Sequence, residues 1–380
     1  MGPTNLARHP ISRRAAIFAG LAASLCLLWG RPEARQAQPA TRPQDTFAAR
    51  VAALSEPGGY FNTDNLISNE RSFLHVAPTL RTLGAKAPDA AYVGVGPDQN
   101  FSYIAQLRPA VAVIIDIRRD NLLLHLLFKA LFAAANTRAD YLALLTGRAL
   151  PGNQDWAHAS IDTVVRAIDT AQPLASARVA TLRTDLARAV DRFGVPLTAA
   201  DRATIDTFHR RFITDGLSLQ FNTTGRAPQV DYPTYRDLIL EKDLTGTRQS
   251  FLASEDDFQF VKRLQARDGV IPVVGDLSGP SAMASIGRFL SETHHPVSAF
   301  YTSNVEFYLF RDGTFPRFIA NVGRLPHTPN AVIVRSVFPS GGGGAVLRPG
   351  YNSAQLTQPV QTLLDGYAKG LFRQYYELIR

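Results

Sequence analysis

Cysteine is almost absent from this 380-residue chain: the single one, Cys26, lies in an apolar stretch near the N-terminus. If that stretch is cleaved, the mature chain can hold no disulfide, no cysteine nucleophile and no cysteine-ligated zinc site. An absence of thiols is compatible with an oxidising compartment.

Several motifs of hydrolytic enzymes are also missing. There is no H-E-x-x-H metal motif and no G-x-S-x-G nucleophile elbow. His294 and His295 are adjacent, so their side chains point apart, and the glycine run Gly341–Gly344 lacks the Lys-Ser/Thr of a P-loop. We therefore predict no metal site, and neither a serine hydrolase nor a P-loop NTPase.

The formal net charge of +8 overstates the basicity of the folded part. Residues 1–37 contain five arginines and one glutamate, so without them the charge would be +4. That excess is small and scattered, which argues against nucleic acid as a partner.

The N-terminus has the pattern of an export signal. Arg13 and Arg14 precede an alanine-rich apolar run over 15–29, which is shorter than the roughly 20 residues that span a bilayer. The paired arginines favour a twin-arginine signal, with a Sec signal or an uncleaved anchor as alternatives. We predict a signal over 1–37, a linker over 38–47, a periplasmic location, and no stable membrane span after cleavage.

The rest of the chain alternates apolar strands with helices, which predicts one α/β domain over 48–380. Such alternation is typical of a doubly wound, mainly parallel sheet. Residues 137–250 are largely helical and predict an insertion, and a terminal helix is predicted over Gln358–Leu378. The predicted strands are Tyr92–Gly96, Val111–Ile117, Val270–Val274, Val297–Thr302 and Ala331–Phe338.

A glycine loop follows the first predicted strand and contains Gly94, Gly96, Asp98 and Asn100. Glycines allow a ligand to approach the backbone, and Asn100 is a good N-cap for the next helix. Asp116 ends the following strand, where an acid binds ribose hydroxyls in dinucleotide folds. Gln99 stands where a third glycine is expected, which disfavours a pyrophosphate cradle. A tight turn without a ligand is the alternative.

Further polar residues allow two interpretations each. Arg118 and Arg119 could bind a phosphate or carboxylate, or pair with neighbouring acids. Ser68, Asn69 and Glu70 could cap the next helix, predicted over Arg71–Leu83; alternatively, Asn65, Asn69 and Glu70 could line a pocket rim. His125 fits a hydrogen-bonded core or rim histidine better than a catalytic base.

Two more groups follow predicted strands, at the edge where open α/β sheets bind ligands. Asp276 follows one strand, and Asn304 and Glu306 follow another. Their carboxylate and amide groups suit recognition of hydroxyls and amines, and loop capping is the alternative.

Together these segments resemble an uncharacterised bacterial family with a Rossmann fold similar to S-adenosylmethionine-dependent methyltransferases. The resemblance covers roughly residues 61–338 and is least specific over 137–235. It implies that Gly94 and Gly96 lie under the cofactor methionine, Asp116 holds its ribose and Asp276 faces the adenine. Ser303 and Asn304 would orient the methyl acceptor.

The sequence thus leaves two main hypotheses, both with a small-molecule ligand. One is an S-adenosylmethionine-dependent methyltransferase, with Gly94, Gly96, Asp98, Asn100, Asp116, Arg118 and Asp276 at the cofactor and Asn304 and Glu306 at the acceptor. The other is an exported binding protein for a nucleoside-like or polar metabolite. A dinucleotide oxidoreductase is a third, weaker fit because the third glycine is missing.

Overall fold

The structure, a computed structural model, describes residues 46–223, 231–339 and 347–379. The predicted export signal, most of the linker, and the glycine run Gly341–Gly344 lie outside these residues. Within the described part, no helix is both long and apolar enough to cross a bilayer.

A six-stranded sheet organises the described chain, with spatial order β3-β2-β1-β4-β5-β6. All neighbouring strands are parallel except β5 and β6, which are antiparallel. The protein is therefore α/β with a mostly parallel sheet, as predicted, and compatible with a Rossmann-like fold. The strands are β1 (Ala91–Gly94), β2 (Val111–Asp116), β3 (Val270–Val274), β4 (Val297–Ser303), β5 (His327–Val337) and β6 (Ala354–Pro359).

The central strands form because their side chains are apolar on both faces. Every residue of β1 and β3 is buried, and β2 is buried up to Asp116 at its end. Continuous apolar runs of this kind are typical of parallel strands covered on both sides. The five strands predicted from such runs are present within a few residues of their expected positions.

Helices fill the intervals between the strands. Before β3 the helices are α1 (Phe47–Leu54), α2 (Ala77–Lys86), α3 (Gln99–Leu107), α4 (Arg119–Ala134), α5 (Arg138–Thr146), α6 (Ile161–Thr170), α7 (Ser176–Arg192), α8 (Ala199–Asp215), α9 (Tyr235–Ile239) and α10 (Glu255–Ala266). After β3 they are α11 (Ala282–Glu292), α12 (Val305–Arg311), α13 (Phe315–Val322), α14 (Val360–Ala368) and α15 (Tyr375–Leu378). Helices α5 to α9 lie within the predicted insertion, and Thr198 caps α8 as predicted.

The C-terminal prediction was wrong. Instead of one helix over Gln358–Leu378, β6 is followed by α14 and α15. The alternation in β6 is weak, since it is an edge strand with polar side chains on its exposed face. Its backbone pairing with β5 decides the strand conformation, and that partner is not visible in the local sequence.

A short strap, Ser55–Gly59, links the end of α1 to the carboxyl ends of β2 and β3. The Glu56 N–H donates to Val274 O (2.9 Å), and the Gly59 N–H donates to Ile117 O (2.7 Å). A Cβ on Gly59 would lie 2.8 Å from the Ile117 side chain, so a larger residue would force that side chain to shift.

The Glu56 carboxylate fixes the strap to the start of α11. It accepts hydrogen bonds from the backbone N–H groups of Asp276, Ser281 and Ala282, each at 2.9 Å. Burial opposes ionisation of Glu56, but these hydrogen bonds outweigh it and lower its pKa below 4.5. A negative charge at a helix N-terminus is stabilising.

We expect Glu56→Gln to lower the free energy of unfolding at pH 7 by about 1–2 kcal/mol, since it weakens these charge-assisted bonds. Because the folded-state pKa is lowered, this stabilisation is present above the ordinary pKa of glutamate and disappears as the pH falls through the lowered value. Urea denaturation at pH 7 and pH 3 measures the difference. The control is Glu292→Gln, at an exposed residue at the end of α11, and its free energy of unfolding should stay near that of the wild type. Equal stability of the two variants would contradict the role of Glu56.

Candidate functional site

The glycine loop after β1 packs tightly against the chain itself. Asn100 is fully buried, and its Nδ2 donates to Val95 O (2.9 Å) and Pro97 O (2.8 Å). Its Oδ1 accepts from the Tyr92 hydroxyl (2.7 Å). A Cβ on Gly94 would lie 2.1 Å from Asn100 Oδ1, so Gly94 allows this packing. Asn100 therefore braces the loop; the N-cap prediction was wrong, because α3 begins at Gln99.

The loop is also enclosed rather than open. All residues from Gly94 to Asn100 are buried. Gly96 has a φ of +85°, its carbonyl lies 2.9 Å from His125 Nε2, and Asn65 lies on its other side. Open access for a ligand to this backbone is thus blocked in this conformation.

Asp98 faces the helical region rather than a ligand cleft. Its Oδ2 accepts a hydrogen bond from the Tyr235 hydroxyl (2.6 Å) at the start of α9. Burial raises the pKa of Asp98 to about 7, although the bond from Tyr235 lowers it. A cavity of about 20 Å³, lined in part by Asp98 and Tyr235, has room for about one water.

Asp116 and Arg118 form a bidentate ion pair at the end of β2. Arg118 Nη2 lies 2.8 Å from Asp116 Oδ2, and Arg118 Nε lies 3.0 Å from Oδ1. Arg118 also donates to Thr63 O (3.0 Å). The salt-bridge interpretation is confirmed for this arginine, and Arg119 instead pairs with Asp201 of α8. The Asp116 carboxylate, predicted to bind ribose hydroxyls, is therefore already hydrogen-bonded to protein groups.

Glu70 lies at the centre of a buried hydrogen-bond network. Its side chain is directed inward and forms no cap for the 3₁₀ helix Arg71–Val76 that follows. The carboxylate accepts hydrogen bonds from Gln99 (3.0 Å), Tyr301 (2.6 Å), Ser303 and Gln355 (3.0 Å). These donors belong to α3, β4 and β6, so Glu70 joins three elements above the carboxyl edge of the sheet.

The end of β4 contains the two predicted acceptor residues in different environments. Asn304 is partly exposed and follows Ser303, whose φ of +53° is unusual for a non-glycine residue. Glu306 is completely buried and accepts from Arg335 Nε (2.6 Å) and Nη2 (3.1 Å). Arg335 of β5 is itself buried. Glu306 is therefore held in a structural ion pair, whereas Asn304 Oδ1 accepts only a long hydrogen bond from the Ser303 hydroxyl (3.5 Å) among the described residues.

A large cleft lies at the carboxyl ends of β2 and β3. Its volume is about 760 Å³, within the range of small-molecule sites. It is lined by the strap and Asp276, and by Arg317, Asn321 and Arg324 of α13 and the turn after it.

The polar groups of this cleft are held in place. Asp276 Oδ1 accepts from the backbone N–H (2.7 Å) and hydroxyl (3.0 Å) of Ser278. Asn321 Nδ2 donates to Leu277 O and Gly279 O (both 2.9 Å), which joins α13 to the loop after β3. Arg317 is exposed and forms no ion pair within the described residues. An acid and two arginines thus line the same preformed cleft.

The structure places the predicted site residues in separate sets. Asp276 lines the open cleft, whereas Asp98 and Asp116 are bonded to other partners. Among described residues, no group of three or more His, Cys, Asp or Glu side chains could hold a metal ion. Sequence reasoning missed Glu56, Arg317 and Arg324. Of these, only Glu56 has a local signal, the Pro57-Gly58-Gly59 turn that follows it.

These features define an α/β protein with a Rossmann-like sheet and a polar cleft at its carboxyl edge. A family model described as "Domain of unknown function (DUF7790)" matches residues 65–184 and 219–364, and the chain belongs to this family. The unmatched stretch 185–218 falls within the predicted helical insertion. No curated protein matches the sequence.

We expect Glu70→Gln to lower the free energy of unfolding by about 2–3 kcal/mol, because the new amide group would face hydrogen-bond donors. Guanidinium denaturation measures this loss. Glu292→Gln again serves as the exposed control, expected within about 0.5 kcal/mol of wild type. A Glu70→Gln protein as stable as this control would show that the network contributes little.

Removing Arg335 should be more damaging than removing the whole ion pair. We expect Arg335→Met to cost about 3–5 kcal/mol, since it leaves the Glu306 charge buried and unpaired. The double variant Glu306→Gln/Arg335→Met should recover part of that loss. A double-mutant cycle by chemical denaturation tests this, and strictly additive losses would argue against a coupled pair.

Proposed function

We propose that this protein binds a polar, nucleoside-like small molecule at the carboxyl edge of a doubly wound Rossmann-type sheet. The strand order supports the doubly wound arrangement, because parallel crossovers are almost always right-handed and the chain order reverses direction between β3 and β4, which would put α11 on the face opposite α3. The switch in strand order lies between β1 and β4, and ligands of such folds bind near this edge.

The observation that carries the proposal is the cleft of about 760 Å³, which is lined by Asp276 as well as by Arg317 and Arg324. Asp276 has one carboxylate oxygen, Oδ2, that accepts no hydrogen bond within the described residues. It suits an amine or hydroxyl donor of a ligand. Arg317 and Arg324 suit a carboxylate or phosphate, since guanidinium groups bind both well. The cleft therefore favours a ligand with donors at one end and an anionic group at the other.

S-adenosylmethionine-dependent methyl transfer is a second candidate, supported by the same geometry. The cofactor carries an adenine amine, which matches Asp276, and a carboxylate, which matches the arginines of the cleft. The resemblance also implies that Asp276 faces the adenine. The antiparallel β6 also departs from an all-parallel dinucleotide-binding sheet. In this reading Asn304 positions the acceptor, and catalysis is mainly by proximity and orientation.

Ligand binding without methyl transfer is the preferred function, because protein groups already occupy several of the positions expected for the cofactor. Gly94 and Gly96 are enclosed, Asp116 is paired with Arg118, and Glu306 is paired with Arg335. A cofactor over the glycine loop would have to displace the segment around Asn65. The predicted export signal points the same way, since S-adenosylmethionine is not expected outside the cytoplasm.

Calorimetric titration of the purified chain with AMP, S-adenosylmethionine and S-adenosylhomocysteine tests the proposal. We expect AMP to bind, and Arg317→Ala to weaken its affinity about tenfold through loss of a charge-assisted contact. Asp276→Asn should lower the affinity for every ligand that carries an adenine amine.

The matched control is Arg311→Ala, an exposed arginine that pairs with Asp312 and does not line the cleft. It should leave the affinity for AMP unchanged. A folded sample that binds none of the three ligands, or equal affinities in both arginine variants, would refute this assignment of the cleft. Methyl transfer in particular requires binding of S-adenosylmethionine.

A further inference from the structure

Three buried polar atoms near the glycine loop have no hydrogen-bond partner in the described part of the chain. They are Oδ1 and Nδ2 of Asn121 and Nδ1 of His125. Both residues are buried, with exposed fractions of 3% and 2%. Buried polar groups are nearly always paired, so this cluster requires an explanation.

The two side chains lie on one face of α4 because they are four residues apart. His125 Nε2 is 2.9 Å from Gly96 O, which shows that this face is directed at the glycine loop. Helix α4 begins just after β2, at the carboxyl edge of the sheet. Asn121 therefore lies one turn nearer that edge than His125.

The chemistry of the cluster is neutral. A carbonyl oxygen only accepts, so His125 Nε2 carries the proton and Nδ1 is an acceptor in the neutral ring. Burial lowers the pKa of His125 to about 4, which keeps the ring neutral at pH 7. Asn121 adds one donor group and one acceptor. A hydroxyl can both donate and accept, whereas a phosphate or carboxylate would meet no positive charge on either side chain.

The segment Thr63–Asn65 packs against the glycine loop and the end of β2. Arg118 holds Thr63 by a hydrogen bond to its carbonyl oxygen (3.0 Å), and Asn65 has a φ of +47° beside Gly96. Tyr60 and Phe61 just before this segment are exposed. A ligand group beside Gly96 would thus lie next to the segment Thr63–Asn65.

We propose that Asn121 and His125 form a buried polar subsite beside Gly96 that binds an uncharged, hydroxyl-bearing group of a ligand. Neither residue lines the cleft that contains Asp276, so this subsite is additional to the one proposed above.

The probes for the test are adenosine and 2′,3′-dideoxyadenosine, which lacks the ribose hydroxyls. Long-range proton–nitrogen NMR of the histidine side chains follows Nδ1 of His125 directly. We expect adenosine to shift this resonance in the wild-type protein, and dideoxyadenosine to leave it unchanged. Asn121→Leu should abolish the shift and lower the affinity for adenosine about tenfold, as expected when a ligand hydroxyl loses its hydrogen-bond partner in the site.

Ser298→Ala is the matched control, because Ser298 in β4 also has a buried hydroxyl without a partner in the described chain. It should leave adenosine binding unchanged. Circular dichroism and thermal unfolding establish that both variants are folded. Should Asn121→Leu fail to fold, Asn121→Asp provides the second variant, expected to lose adenosine binding because it removes the amide donor.

Either of two results would overturn the subsite. One is an Nδ1 resonance of His125 that does not respond to adenosine in the folded wild-type protein, as when a held water already satisfies it. The other is an Asn121→Leu protein that keeps its adenosine affinity. The cleft is judged separately by AMP binding and Arg317→Ala, so the two proposals can fail independently.

Discussion

The buried carboxylate of Glu70 is the interaction on which the carboxyl edge of the sheet depends. Within the described residues it has no cationic partner, and its charge is balanced by hydrogen bonds from α3, β4 and β6. Such a group is stable only while every donor stays in place, because an unpaired buried charge is very costly. The network therefore fixes the segment around Asn65–Glu70 over β1 and β4, and this closes the glycine loop to solvent.

Several positions that could meet a ligand are satisfied by the chain itself. Arg118 neutralises Asp116, Arg335 neutralises Glu306, and the Glu56 carboxylate binds at the start of α11. These contacts move the open space away from the glycine loop. A large cleft lies at the ends of β2 and β3, and both Asp276 and Arg317 line it. The sheet is thus compatible with a Rossmann-like fold, while the described cleft lies beside the usual switch point, which agrees with the view that function belongs to sites rather than folds.

Much of the fold was predictable because its signals are local. Buried parallel strands are continuous apolar runs, and helices such as α8 have capping residues at their start. The prediction failed at β6, where a polar edge strand is specified by its partner β5. It also failed for Asn100, a good capping residue by type, whose amide instead braces the loop. Of the residues predicted for the site, Asp276 lines the cleft, and the glycine loop follows β1 as expected but is enclosed.

The sequence by itself determined the α/β class, the helical region before β3 and the polar residues that follow the strands. These properties depend on residues close together in the chain, where composition and periodicity act directly. Only the tertiary structure decided which polar groups meet each other. Glu70 lies far along the chain from Tyr301 and Gln355, and Glu56 far from Ala282. Pairing across such distances follows from strand order and packing, so no local pattern distinguishes a ligand-binding carboxylate from one already satisfied within the protein.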